Sequence, residues 1–204
     1  MYGSLNDSAL WSKVMEGDQD ALAFIYSTHF HSLYRYGMKL HADGNLVKDC
    51  IHDLFTGIWL SRERLSVTDS IKFYLLASLK RKIGRQQQGV FSRLFEHTEE
   101  PFTHSREEDL INEQASAERT QKLEKVMSNL PRRQREILYL RFYEGLDTQQ
   151  TAAIMSLSVN STYVLLSKAL NYLKKNSDQL LTLLLIVLEH QRFLQPFLRG
   201  GNFF

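Results

Sequence analysis

DTQQTAAIMSLSVNSTYVLLSKALNYLKK, residues 147–175, reads as two short helices joined by a three-residue turn, with lysines closing the second. Asp147 stands where an N-cap carboxylate accepts backbone N–H groups, and Ala152, Ile154 and Met155 mark the buried side of a first helix ending near residue 155. Ser156, Leu157 and Ser158 form the turn, and Ser158 caps the second helix. There Val159, Thr162, Leu166, Ala169, Leu170 and Leu173 recur at helical spacing and are expected to pack inward. Asn160, Ser161, Tyr163, Val164, Ser167, Lys168, Asn171, Lys174 and Lys175 are left outside. Such a helix-turn-helix, with small polar groups at the start of its second helix and cations towards the end, suits a major groove and the phosphates beside it. An ordinary helical hairpin with a solvated face leaves the same pattern, so the rest of the chain has to decide.

The chain has 204 residues, enough for one or two domains with modest cores. It holds only three prolines, shows no persistent strand-like alternation, and repeats apolar residues every three or four positions from Leu22 to Leu173, so an all-α fold is expected. The single cysteine, Cys50, has no internal disulfide partner, which fits a reducing cytosol and a thiol packed in a core. The first residues, MYGSLNDSALWSK, lack a basic segment followed by a long apolar run, so no secretory signal is evident and a cytoplasmic location is expected. Net charge is only +2, but its distribution is uneven. Residues 1–90 carry 11 basic and 9 acidic side chains (+2), residues 91–120 carry 3 and 8 (−5), and residues 121–204 carry 11 and 6 (+5). A polyanion is drawn to the two ends and repelled from the middle.

In chain order, residues 8–20 suggest a helix that holds Leu10, Trp11, Val14 and Met15 and stops at Gly17 and Asp18. Residues 21–40 form a second helix, with Leu22, Ile25, Tyr26, Phe30, Leu33, Tyr34 and Gly37 as its apolar stripe and His29, His31, Arg35 and Lys39 largely facing away. A turn at 41–45 leads to a third helix at 46–62, a polar loop at 61–69, and a fourth helix at 70–86. That last helix directs Ile71, Phe73, Leu75, Leu76, Leu79 and Ile83 towards a core and Lys72, Lys80, Arg81, Lys82 and Arg85 towards solvent.

This order of elements resembles the small, two-domain extracytoplasmic-function (ECF) type of the sigma-70 family of RNA polymerase initiation factors. DCIHDLFTGIW at 49–59 is similar to that family's D-L-V-Q-E-T-F-x-x-x-W, keeping Asp49, Phe55 and Trp59, with Ile51 for Val and Asp53 for Glu. ALAFIYSTHFHSLYRYGMKL at 21–40 resembles its A-L-x-x-L-Y-x-x-Y-x-x-x-L-Y-R-Y helix. Residues 130–175, beginning LPRRQREILYLRFYEGL, are similar to its L-P-x-x-x-R segment, its E-G-x-S turn and its helix-turn-helix. The resemblance implies two small helical domains, a region 2-like bundle at 8–88 and a region 4-like helix-turn-helix domain at 119–176, joined by a flexible acidic linker at 89–118 and followed by an apolar extension at 177–204.

The resemblance also implies partners and sites: core RNA polymerase, promoter DNA and an anti-sigma factor, with no cofactor, no small-molecule substrate and no catalytic activity. Polymerase docking falls on Asp49, His52, Asp53, Phe55 and Ile58, where carboxylates can pair with arginines around an apolar centre. His52 stands where the family usually has Gln. The minus-10 element falls to the loop and helix at 61–85, with Lys72, Lys80, Arg81, Lys82 and Arg85 as phosphate contacts, and an extruded base held partly by the loop. The minus-35 element falls to Asn160, Ser161, Tyr163, Ser167, Lys168, Asn171, Lys174 and Lys175. Basic residues common in the family at the positions of Tyr163 and Leu165 are missing, leaving fewer arginine-to-guanine contacts. Arg132, Arg133, Arg135 and Arg141 are assigned to phosphate or polymerase contact.

Beyond the resemblance, the apolar run at 180–188 is nine residues, roughly 14 Å as a helix, against a bilayer core of about 30 Å, so no membrane insertion is expected. It is expected to prolong the preceding helix or to cover a hydrophobic surface shared with polymerase or an anti-sigma partner. Two rival functions exist. A metal-dependent hydrolase would use His52 and Asp53 with His41, Asp43 and Asp49, but no second histidine follows at ligand spacing on the same helix. A helix-turn-helix regulator that binds operators without polymerase would use the same 147–175 segment and would leave the 49–59 stretch unexplained.

Overall fold

The structure, a computed structural model, describes residues 2–91, 127 and 129–176. The chain divides into two compact units, Met1–His104 and Ser105–Phe204. The described residues form helices and turns and no strand. The linker assigned to 89–118 lies, beyond residue 91, outside the described residues, as does the extension at 177–204.

The first unit is built from α1 (Asp7–Met15), α2 (Gln19–Leu40), α3 (Gly44–Leu60) and α4 (Ile71–Phe91). Each of the first three starts on a side chain that accepts backbone N–H groups. Asn6 accepts from Ala9 at 2.8 Å, Asp18 from Ala21 at 3.0 Å, and Asp43 from Asn45 and Leu46 at 2.8 and 3.2 Å. Helix α1 ends at Met15, earlier than expected, because Gly17 takes φ 93° and Asp18 then caps the next helix. Helix α4 starts on a cap from another element, the Asp7 carboxylate, which accepts from the Ile71 N–H at 2.8 Å. It runs past Gly89 to Phe91, into residues the sequence pattern assigns to the linker.

Helix α2 packs against both α3 and α4, and those two pack on each other. The core combines Leu10, Trp11 and Val14 of α1, Ile25, Leu33 and Tyr36 of α2, Val47, Cys50 and Ile51 of α3, and Leu75, Leu76, Leu79 and Ile83 of α4. Burial raises the Cys50 thiol pKa, so it stays protonated and behaves as a small apolar group. The buried side of α2 differs from the expected stripe. Ala21 and Tyr36 are inside, while Tyr26, Phe30 and Tyr34 are half-buried in a row of neighbouring rings along α2, with Tyr26 also meeting Phe55 of α3. At Gly37 the two helices approach so closely that a Cβ would lie 2.4 Å from Val47 Cγ1.

In the second unit, α5 (Arg132–Leu138) passes into a wider π turn at Tyr139–Tyr143, followed by α6 (Thr148–Met155) and α7 (Val159–Asn176). Pro131 occupies the cap position before α5, one residue outside the helix. Leu130, Ile137, Leu140, Leu146, Ile154, Met155, Ala169 and Leu173 make the core. Val159, expected inside, is 40% exposed at the first position of α7.

Candidate nucleic-acid interface

The second unit holds a helix-turn-helix fixed by hydroxyl and carboxylate caps. Asp147 Oδ1 accepts from the Gln150 N–H at 2.7 Å, and Gln150 Oε1 accepts from the Asp147 N–H at 3.1 Å, forming a reciprocal capping box. Buried Thr151 donates its hydroxyl to the Asp147 carbonyl at 2.7 Å. The turn between the helices depends on Ser156 in the left-handed region, φ 54°, which lets the Leu157 N–H reach the Ala152 carbonyl at 2.9 Å. Ser158 Oγ accepts from the Ser161 N–H at 3.1 Å, and buried Thr162 donates its hydroxyl to the Ser158 carbonyl at 2.9 Å. The orientation of α7 against α6 is therefore set by three or four residues around the turn.

Two of the arginines assigned to DNA or polymerase instead support this frame. Arg133 Nη2 donates to the Met155 carbonyl at 3.2 Å, closing the C-terminal end of α6. Arg141 Nη1 donates to the Leu146 carbonyl. Nearby, Tyr139 donates its hydroxyl to buried Glu144 at 2.8 Å and stacks on Tyr143 at 4.8 Å. Local sequence could not show these bonds, since the acceptors are backbone carbonyls placed by the π turn and by the α6 turn.

All eight residues expected to face the minus-35 element are exposed: Asn160, Ser161, Tyr163, Ser167, Lys168, Asn171, Lys174 and Lys175. Val164, absent from that set, is 54% exposed beside them. Helix α7 contains three lysines and no acidic residue.

In the first unit the expected polymerase-docking residues divide by burial. Asp49, His52 and Asp53 are exposed on α3, whereas Phe55 and Ile58 are 6% and 2% exposed and belong to the core. Phe55 meets Tyr26 edge-on at 4.9 Å, and His52 stacks on the same ring at 5.9 Å. Trp59 is half-buried under the Arg62 guanidinium, 4.6 Å from the ring. Among the described residues no group of three His, Cys, Asp or Glu side chains comes together to hold a metal ion.

The five α4 cations are not on one face. Arg81 and Arg85 are exposed, while Lys72, Lys80 and Lys82 are half-buried. Lys80 and Lys82 flank opposite sides of the buried ridge, roughly 200° apart around the helix. Lys82 Nζ pairs with Asp53 Oδ2 at 3.2 Å, joining a residue assigned to DNA with one assigned to polymerase.

The loop before α4 is anchored by α1. Buried Trp11 donates its indole N–H to the Ser66 carbonyl at 3.0 Å and packs on Tyr74 at 4.9 Å, while Asp7 caps Ile71. Val67 and Leu60 remain 63% and 77% exposed. Neither anchor was read from the sequence, because each joins residues more than fifty positions apart.

These features define a helix-turn-helix unit with an exposed second helix, accompanied in the same chain by a four-helix unit. Residues 120–173 match the family model for Sigma-70, region 4. The chain is similar in fold to CnrH, solved in complex with the cytosolic domain of CnrY, at 16% identity and a TM-score of 0.56 over 83% of this chain and 95% of that one. It is also similar to the sigma factor RpoE of Bartonella quintana, solved in complex with the anti-sigma factor NepR, at 17% identity and a TM-score of 0.54 over 74% and 92%. No curated protein matches it by sequence. The sequence match is confined to residues 120–173, and the likeness to the two solved structures is one of fold. Among the described residues no helix is long and apolar enough to cross a membrane.

Proposed function

We propose that the protein acts as a cytoplasmic, non-catalytic sigma factor that docks on core RNA polymerase, directs it to promoters and aids their melting. The observation that carries this reading is that the segment matching sigma-70 region 4 contains a capped helix-turn-helix whose second helix exposes every residue expected to meet DNA. Helix α7 enters the major groove at the minus-35 element, and its lysines neutralise the flanking phosphates. In the first unit, Asp49, His52 and Asp53 form the polar part of the polymerase contact. The loop at 61–70 takes the extruded minus-10 base, and Arg81 and Arg85 meet the strand, with Lys72, Lys80 and Lys82 at the edges. An anti-sigma factor is the expected negative regulator, by likeness to RpoE solved with NepR.

The test is transcription in vitro from fragmented genomic DNA, using core polymerase with and without the protein. Discrete start sites that depend on the protein are expected, and Asp49→Ala with Asp53→Ala is expected to weaken co-purification with core. Absence of new starts together with failure to bind core would leave an operator-binding regulator as the function.

A further inference from the structure

Helix α7 has no arginine, and its first charged residue is Lys168, its tenth. At about 100° per residue, Asn160, Val164, Ser167 and Asn171 follow one another along the side opposite Thr162, Ala169 and Leu173. Those three are 0%, 0% and 4% exposed, so the opposite ridge points directly outward. All four ridge residues are exposed, Val164 to 54%. Val159 and Tyr163, 40% and 57% exposed, lie four residues apart on one flank of this ridge. The tip of the helix therefore offers a carboxamide and apolar side chains before it offers any cation.

Bases in the major groove distinguish such a surface. Guanine presents O6 and N7, which arginine or lysine matches best; adenine presents N6 and N7, which a carboxamide matches with two hydrogen bonds; thymine presents a methyl group that an apolar side chain covers. From this ridge we infer that α7 selects an A·T-rich duplex element, with Asn160 on an adenine and Val164 against a thymine methyl. Lys168, Lys174 and Lys175 add phosphate contacts that carry no sequence information. The inference rests on the reading of α7 as the groove-entering helix, and it names the base class which that helix prefers.

The experiment selects random duplexes with the full chain, alone and with core polymerase. Enriched duplexes are then rebuilt with deoxyuridine for thymidine, removing the methyl, or with 7-deazaadenine for adenine, removing N7. An A·T-rich core is expected. Loss of the methyl should weaken binding by the native chain about fourfold and leave Val164→Ala unaffected. Loss of N7 should weaken the native chain about fivefold or more and leave Asn160→Ala unaffected. Both side chains are exposed, so both variants fold. A G·C-rich core, or native binding indifferent to both analogues, overturns the inference while leaving the sigma reading in place. An A·T-rich element selected only without polymerase supports the inference and removes the sigma reading. Selection of no sequence in either arm overturns both.

Discussion

Helix α4 and helix α7 share a plan as sequence, each with an apolar face and cations but no acid among its polar positions, yet the folded chain treats their charges differently. On α4 the cations are spread around the helix and Lys82 is engaged by Asp53 of α3. On α7 the three lysines are exposed, and the helix contributes no acid of its own. What separates them is the neighbouring helix, because α3 brings a carboxylate alongside α4. A charge run thus reports a binding surface only after the elements packed beside it have been counted.

The sharpest way to break this comparison is to remove what holds the α4 surface in place. Trp11→Ala should destabilise the first unit by about 3–5 kcal/mol, as expected for a fully buried indole, read by hydrogen exchange of α4 amides. Val164→Ala on α7 should change stability by less than about 0.5 kcal/mol. A tolerated Trp11→Ala would mean that the loop and α4 do not depend on α1. Replacing Lys168, Lys174 and Lys175 together by Gln should lower the slope of log affinity against log salt by about 2.7, whereas Lys82→Gln should lower it by less than one. Equal changes per lysine would erase the distinction between the two helices.

Smaller effects sharpen the picture further. Gly37→Ala should cost about 1–3 kcal/mol in chemical denaturation despite alanine's better helix propensity, since the new Cβ would meet stiff, buried Val47. Asp53→Asn should shift stability by no more than about 1 kcal/mol, because the ion pair with Lys82 is partly solvated. The smallest effect is expected at Asp18. Its pKa is lowered, first by the Ala21 N–H and then by the Tyr2 hydroxyl, so its contribution is present above the ordinary carboxylate range and lost as pH falls through its folded value. Tyr2 shows the opposite sign: its pKa is raised by the bond to Asp18, and its share is lost as pH rises through that raised value. The stability gap between native chain and Asp18→Ala should therefore close on acidification.

Much of this was legible in the sequence. The caps at Asp147 and Ser158, the buried Thr162 and Ala169, and the outward set on α7 follow from local hydrogen-bonding chemistry and a single period. The misreadings arise where a helix meets two partners. Helix α2 touches α3 and α4 at once, so its apolar residues divide into a core line through Tyr36 and a half-buried aromatic line through Tyr26, Phe30 and Tyr34, which one stripe could not represent. Phe55 and Ile58 were placed on a docking surface by resemblance, although their spacing on α3 with Cys50, Ile51 and Leu54 matches a buried face. Arg133 and Arg141 look like surface cations until the backbone carbonyls they reach are known.

The anchors of α1 also bear on how the chain is made. Trp11 meets Ser66 across 55 positions and Asp7 meets Ile71 across 64, whereas the Arg133 bond to Met155 spans only 22. Closing long loops delays native contacts and short ones form early. During synthesis the amino-terminal helix emerges first but has to wait for residue 71 before its partners exist, while the helix-turn-helix, made later, can assemble almost as soon as it appears.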